Sequence, residues 1–125
     1  MSQNIPADTL FNEAGNQGEA GMRAVASTMV NRHNMNRQYL GGSNYDTICL
    51  KGYEGSKISV KIRGPADQRA YETAVRISNE MRSGNFHPTN NYTHFDTSRS
   101  SFSNMEGPRF QYQEKIGSHY FFKER

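Results

Sequence analysis

Apolar residues recur at helical spacing in two long stretches of the chain, from Glu19 to about His33 and from Pro65 to about Met81. Each stretch repeats them every three or four residues, which is the pattern of a helix that buries one face. The buried-face positions of the first stretch are Met22, Val25, Ala26, Met29 and Val30. Those of the second stretch are Ala70, Tyr71, Ala74, Ile77, Ser78 and Met81. The sequence therefore predicts two amphipathic helices.

A shorter helix is predicted ahead of them, in the stretch PADTLFNEA. It begins at Pro6 or Asp8, because both residue types favour the first turn of a helix. Gly15 and Gly18 end it, because glycine destabilises a helix interior. The stretch DTICL, between the two long helices, predicts a further short helical turn.

Three stretches have the character of strands. KISVKI, residues 57–62, alternates apolar and polar side chains, which is the signal of a half-buried strand. NYTHF, ending at residue 95, is also strand-like. YQEKIGSHYFF, residues 112–122, predicts a final strand that contains one glycine. A polar loop from Thr97 to Phe110 separates the last two.

The order of these elements is helix, helix, strand, helix, strand, strand. It predicts an α+β fold with a helical core and a small antiparallel β-sheet. The chain has 125 residues, no internal repeat and no linker, so we expect one domain over residues 1–125.

Composition and charge narrow the function classes only slightly. The hydrophobic share is 34%, and seven Tyr and seven Phe supply much of the apolar bulk. The formal net charge is +3, and the basic residues are dispersed. This balance favours an anionic partner, such as nucleic acid, a membrane surface or a bacterial wall polymer, or else serves only solubility.

Cysteine and histidine usage argues against a disulfide scaffold and a zinc site. Cys49 is the single cysteine and has apolar neighbours, so a buried structural thiol is expected. The four histidines match no compact zinc spacing, and no metal or other cofactor is predicted. The chain has no long apolar segment, so no membrane span is predicted.

Glu13 is the residue whose position most suggests chemistry. It follows Leu10 and Phe11, at the junction between the first helix and a glycine-rich bend. Apolar neighbours raise the pKa of a carboxyl group, and an acid that keeps its proton near neutral pH can protonate a leaving group, as in glycosidases. A solvated glutamate at a helix end is the alternative. Glu19 is either a second carboxylate beside it or a favourable first-turn charge.

The segment NEAGNQGEAGMRAVASTMVNRH, residues 12–33, resembles the opening motif of the SleB/CwlJ-type cell wall hydrolases, the family of spore-cortex-lytic enzymes and related phage proteins. In that family a Glu-Ala pair precedes a Gly-Glu pair, and an Ala/Val-rich helix ending in Asn-Arg follows. The matching pairs here, with no gap, are Glu13-Ala14, Gly18-Glu19 and Asn31-Arg32.

Two later blocks resemble the same family in the same order. YTHF, with Thr93 and His94, resembles the strand after its third helix, and KIGSHYFF, with His119, resembles its terminal Ile-Gly-x-His-x-Phe. The stretch KGYEGSKIS departs from the family's Gln-Phe-Ser type segment. Tyr53, Glu54 and Ser56 are the candidate substrate contacts in this stretch.

The resemblance implies a lysozyme-like or lytic-transglycosylase-like helical core and an active site with one essential glutamate, which matches Glu13. The predicted substrate-binding residues are Glu19, Tyr53, Ser56, Thr93, His94 and His119. For His94 and His119, roles in lining the cleft and in the polar core both stay open. Asn31 and Arg32 are expected to anchor the structure.

The function that the resemblance implies is cleavage of the MurNAc-GlcNAc bond of peptidoglycan by a lytic transglycosylase, which leaves 1,6-anhydro ends. A hydrolytic muramidase, with Glu19 or another carboxylate orienting water, is the alternative in the same class. A non-catalytic wall-binding module and a small basic nucleic-acid-binding protein are alternatives in other classes, although no nucleic-acid motif is recognisable.

The expected partner is bacterial peptidoglycan, without nucleic acid or a membrane span, and a monomer is expected. The first residues, MSQNIPADTL, lack the basic and apolar regions of a secretory signal. We therefore expect a phage lysin made in the cytoplasm of an infected host and released to the cell wall, or a virion-associated lysin.

Overall fold

The computed structural model describes residues 4–99 and 109–124. Within these ranges, α1 spans Ile5–Ala14, α2 Gly18–Met35, α3 Tyr45–Gly52 and α4 Pro65–Ser83. The strands are β1 at His94–Asp96, β2 at Phe110–Ile116 and β3 at His119–Glu124. Short 3-10 turns lie at Gly15–Gln17, Gln38–Leu40 and Glu54–Lys57. The predicted α+β fold is confirmed.

Local sequence signals set the ends of the helices. The Asn4 side chain caps α1 by accepting from the Ala7 N–H at 3.2 Å, and Asn44 caps α3 by accepting from the Thr47 N–H at 3.0 Å. Such caps satisfy backbone donors that have no partner inside the helix. Gly84 ends α4 in the left-handed region that glycine adopts without strain.

Helix α2 carries the centre of the core, as its periodicity predicted. Val25, Ala26 and Met29 are fully buried, and they pack with side chains from the other three helices and from β3. The thiol of Cys49 lies 3.7 Å from the Met29 sulfur, and burial raises its pKa to about 12. The prediction of a buried structural thiol is confirmed. Of the predicted α4 face, Ala70 and Tyr71 are only half-buried.

The strand predicted at residues 57–62 is wrong. Lys57 ends a 3-10 turn, and residues 59–63 run without regular structure. An alternating pattern forms a strand only where a sheet edge can pair with it, and here the Asn12 side chain donates to the Ile58 carbonyl at 2.7 Å instead. As a result Ile58 and Ile62 stay exposed.

The single final strand predicted at residues 112–122 is also wrong, because the chain reverses in its middle. Gly117 has a φ of 60°, which suits glycine, and the turn at Gly117 and Ser118 separates β2 from β3. The sheet is antiparallel with the order β1-β3-β2, and His94 pairs with Phe122 in its register. The hairpin therefore returns His119 to the helices.

The loop predicted from Thr97 to Phe110 lies mostly outside the described residues. In the described part of the chain, no helix combines the length and the apolar character needed to cross a membrane.

We expect Val25→Asp to prevent stable folding, because it buries a charge that has no oppositely charged partner at a position that is 0% exposed. The expected loss exceeds about 4 kcal/mol in the free energy of unfolding. Ala20→Asp is the matched control, because it adds the same charge to an exposed position on the same helix. Denaturant unfolding measures both, and a Val25→Asp protein that melts cooperatively near the parent's Tm would refute the assigned helix face.

Candidate active site

The Glu13 carboxyl is held against a backbone amide from another part of the chain. Glu13 lies in the last turn of α1, and the Gly55 N–H donates to its Oε2 at 2.9 Å. Gly55 is buried, and a Cβ there would lie 2.9 Å from Glu13 Cγ and 3.0 Å from the Thr9 carbonyl oxygen. Only glycine therefore allows this close approach of the two segments.

The pKa of Glu13 is raised above its ordinary value. Burial of the carboxyl is the largest cause, because it penalises the charged form, and the negative charges of Glu54 and Asp96 add to it. The hydrogen bond from Gly55 opposes the shift and is the weaker effect. The predicted upward shift of the Glu13 pKa therefore has its expected cause, which is desolvation.

Two cavities of about 500 and 490 Å³ border Glu13. They share Glu13, Thr97 and His119, so we describe them as the first and second arms of one groove. The first arm is also lined by Arg32, Tyr39, Leu40, Lys51, Gly52, Glu54, His94, Phe95 and Asp96. The second is also lined by Phe11, Asn12, Gly15, Asn16, Gln17, Ile58, Ser59, Lys61, Arg63, Asp67 and Ser118. Glu13 thus lies where the two arms join.

His119 lines both arms with an imidazole that is nearly covered by protein. Its ring stacks edge-on against Phe95, with centroids 4.8 Å apart, and its Nδ1 lies 3.4 Å from Gln17 Nε2. Burial lowers the pKa of His119, while the charge of Asp96 opposes that shift. The ring is therefore neutral near pH 7 and can donate or accept a hydrogen bond.

Gln17 fixes the turn that carries His119. Its Nε2 donates to the Ser118 hydroxyl at 2.8 Å, and its Oε1 accepts from the Ser118 N–H at 3.3 Å. A Cβ on Gly117 would clash with the same side chain. The 3-10 turn after α1 and the β2–β3 hairpin are therefore locked together beside Glu13.

His94 lines the first arm and is buried. Its Nδ1 lies 2.9 Å from the Thr93 hydroxyl, and its ring meets Phe110 edge-on at 4.5 Å. Burial first, and then the positive charges of Arg32 and Arg109, lower the pKa of His94 to about 3. His94 is a neutral polar group of the groove wall.

Thr93 does not line either arm, and its polar atoms form hydrogen bonds within the protein. Its hydroxyl accepts from the Glu124 N–H at 2.8 Å, and its carbonyl accepts from Arg32 Nε at 2.6 Å. Asn31 donates to the Tyr92 carbonyl at 2.8 Å. These bonds fit the anchoring role expected of Asn31 and Arg32, and they do not fit the substrate contact predicted for Thr93.

Tyr53 and Ser56 also lie away from the groove lining. Tyr53 is only 2% exposed, its hydroxyl bonds to that of Thr28 at 2.7 Å, and Arg32 lies over its ring at 4.7 Å. The Ser56 hydroxyl donates to the Tyr53 carbonyl at 2.7 Å. The substrate contacts predicted for Tyr53 and Ser56 do not fit these positions, because both side chains contact other parts of the protein instead of the groove.

Glu19 is exposed in the first turn of α2, outside both arms. Hydrogen bonds from Arg76 and Arg23, at 3.1 and 2.8 Å, lower the pKa of Glu19 to about 2. This position does not fit the predicted contact with substrate or a role in orienting water beside Glu13. The first-turn charge, the other interpretation of the sequence, describes it better.

Asp96 and Asn12 line the groove with Glu13 and were not predicted as site residues, whereas Glu54 was a candidate substrate contact. Asp96 follows the YTHF block directly, at the end of β1, and Glu54 follows Tyr53 in the turn that supplies Gly55. Asn12 precedes Glu13 and donates to the Gly55 carbonyl at 2.9 Å. Their closeness to the recognised motifs was the available signal. No cluster of three or more metal-ligating side chains occurs among the described residues.

We expect Gly55→Ala to lower the free energy of unfolding by about 1–3 kcal/mol, the usual effect of overpacking. The added methyl group meets Glu13 Cγ and the Thr9 carbonyl oxygen, which cannot both move away. Gly64→Ala is the matched control, because its Cβ meets nothing within 4 Å and its φ of 169° is extended. Urea unfolding compares them, and equal effects would contradict the close packing at Gly55.

We expect His94 to make the protein sensitive to acid. Its pKa is about 3 in the folded state against an ordinary 6.5, so between these values the unfolded state binds more protons. The free energy of unfolding therefore falls as pH decreases, by at most about 1.4 kcal/mol per pH unit for one proton. His94→Asn removes the titration, and the difference between parent and variant should shrink from pH 6.5 to 4.5. A constant difference would contradict the shifted pKa.

Comparison with known proteins finds a family match. No curated protein and no solved structure matches the chain, so the predicted lysozyme-like core stays a prediction. A family model described as Cell Wall Hydrolase matches residues 16–122. The matched range includes His94 and His119, and Glu13 lies just before it. The chain belongs to the SleB/CwlJ-type cell wall hydrolase family.

Proposed function

We propose that the protein cleaves the MurNAc-GlcNAc glycosidic bond of peptidoglycan as a lytic transglycosylase, with Glu13 as its acid and base. Family membership supports peptidoglycan degradation. The observation that carries the finer proposal is a carboxyl with a raised pKa at the junction of two groove arms. A linear glycan can occupy both arms, with its scissile bond at Glu13.

In the first step, protonated Glu13 donates its proton to the glycosidic oxygen, and the C1–O bond breaks. A positioned acid of this kind contributes about 10²–10⁴-fold to the rate. The Gly55 N–H fixes one carboxyl oxygen, so the acid keeps a defined direction relative to the groove. It also stabilises the carboxylate that remains after proton transfer.

In the second step, the Glu13 carboxylate accepts the proton of the C6 hydroxyl of the same muramic residue. The C6 oxygen bonds to C1 and forms the 1,6-anhydro ring, and Glu13 is again protonated for the next cycle. A hydroxyl held within the same sugar has a high effective concentration, which favours it over water. This sequence needs no second carboxylate as nucleophile.

Hydrolysis by a muramidase is the second candidate function, and the position of Asp96 in the groove favours it. Asp96 lines the first arm with Glu13, and its charge contributes to the raised pKa of Glu13. An ionised carboxylate in this place could activate a water molecule for attack on C1. Asp96, rather than Glu19, is therefore the residue to test for this chemistry.

We expect Glu13→Gln to abolish nearly all wall-lytic activity while the fold persists. Because burial raises the pKa of Glu13, ionising it lowers the free energy of unfolding as pH rises from the ordinary pKa toward the raised one. The neutral Gln avoids that loss, so its Tm at pH 7 should equal or exceed the parent's. Glu19→Gln is the matched control and should keep most activity. Turbidity loss of purified sacculi measures the rates, and full activity in Glu13→Gln would refute the proposal.

Mass spectrometry of the products distinguishes the two mechanisms. The proposal predicts 1,6-anhydro ends from the parent and from Asp96→Asn alike. Reducing ends from the parent, lost in Asp96→Asn, would favour the muramidase instead. Binding of sacculi without any new ends would leave a wall-binding module as the function.

A further inference from the structure

We propose that Lys61 and Arg63 form a binding site for the anionic peptide stems of the wall glycan, so that the protein prefers glycan strands that carry stems. This inference rests on the proposed function, because it concerns the same groove. It adds a substrate class that the catalytic geometry around Glu13 does not specify.

Both cations lie beside the catalytic candidate but belong to a separate segment. Lys61 and Arg63 line the second arm of the groove, which Glu13 also lines. They lie in residues 58–63, the exposed segment between the Glu54–Lys57 turn and α4. A sugar bound at Glu13 therefore has this segment as a wall of the adjoining arm.

The charges of this segment are not neutralised within the part of the chain that the structure describes. Some basic side chains have acidic partners there, as Arg23 has Glu80 and Arg82 has Asp46. Lys61 and Arg63 form no such ion pair with a described residue. The carboxyl of Asp67 accepts from the Arg63 backbone N–H at 2.9 Å, so it holds the segment rather than the guanidinium.

The two arms differ in charge. Apart from Glu13, the first arm has Arg32 and Lys51 against Glu54 and Asp96, so its charges balance. The second arm, again without counting Glu13, has two positive side chains, Lys61 and Arg63, and one negative side chain, Asp67, so its net charge is positive. An anionic branch of the substrate is therefore favoured in the second arm over the first.

The segment is fixed at both ends and exposed between them. Asn12, the neighbour of Glu13, donates to the Ile58 carbonyl at 2.7 Å, and Asp67 holds the Arg63 N–H. Ile58, which also lines the second arm, exposes 57% of its surface. The arm thus combines cations with an exposed apolar side chain, which fits a short peptide with free carboxylates and methyl side chains.

The dimensions are compatible with a stem attached to a sugar at Glu13. A stem branches from the muramic residue itself, and three extended residues span roughly 10 Å. The second arm, with a volume of about 490 Å³, is lined by Glu13 and by both cations, so a stem that starts beside Glu13 can place a carboxylate near either cation. Arg63 can bind that carboxylate through two parallel hydrogen bonds.

The test compares two substrates, namely purified glycan strands with their stems and the same strands after an amidase has removed the stems. We expect the parent to cleave stem-bearing strands about tenfold faster in kcat/KM at low salt, the size of effect that one or two charge-assisted contacts give. Lys61→Gln/Arg63→Gln should lose that preference, so that its kcat/KM values on the two substrates become about equal. Added salt should reduce the preference, because the Debye length is only about 10 Å at 0.1 M.

Lys123→Gln/Arg69→Gln is the matched control, because it removes one lysine and one arginine from exposed positions outside both arms. It should keep the preference for stem-bearing strands. The proposed site would be overturned if both double variants lost the preference equally. It would also be overturned if Lys61→Gln/Arg63→Gln lowered kcat/KM equally on the two substrates, or if the parent showed no preference.

A binding measurement separates this inference from the proposed function. Glu13→Gln should co-sediment with stem-bearing strands more strongly than with bare strands, and adding Lys61→Gln/Arg63→Gln should remove the difference. If the parent cleaves neither substrate, the proposed function fails and this measurement alone decides the site. Equal binding of the two kinds of strand would overturn it.

Discussion

The contact between Glu13 and Gly55 is the constraint on which the candidate active site depends. The Gly55 N–H orients the carboxyl, and the missing side chain at Gly55 lets the Glu54–Lys57 turn pack directly on α1. The same packing removes water from Glu13, and this desolvation raises its pKa more than the single hydrogen bond lowers it. One close approach of two backbone segments therefore sets both the direction and the proton affinity of the acid.

A buried polar network holds the other side of the groove against this contact. Arg32 reaches from α2 to the Thr93 carbonyl, and the Thr93 hydroxyl binds the backbone of Glu124 at the end of β3. A Cβ at Gly52 would clash with Arg32, so glycine again permits the approach. Because the network joins the central helix to the sheet, the histidines on β1 and β3 are held at fixed positions in the groove wall.

The sequence predicted what local interactions determine and missed what distant segments decide. The stripe through Val25 and Met29 is a property of one helix, and the structure buries it. The alternation at residues 57–62 needed a pairing edge that the fold does not offer. Tyr53 was expected to contact substrate because of its place in the family pattern, which does not reveal that its hydroxyl bonds to Thr28, 25 residues away. Asp96 reaches the groove only because β1 pairs with β3, and no local pattern encodes a pairing between distant segments.

Direct titration of the Glu13 carboxyl tests the central claim most simply. The carbon chemical shift of its side-chain carboxyl, followed by NMR from pH 3 to 9 in protein with labelled glutamate, reports the proton on this group alone. The missing signal in Glu13→Gln assigns it. The account predicts a midpoint above the ordinary 4.5 of glutamate, because burial outweighs the Gly55 hydrogen bond. A midpoint at or below 4.5 would contradict it, since burial of the carboxyl would then not outweigh the Gly55 hydrogen bond.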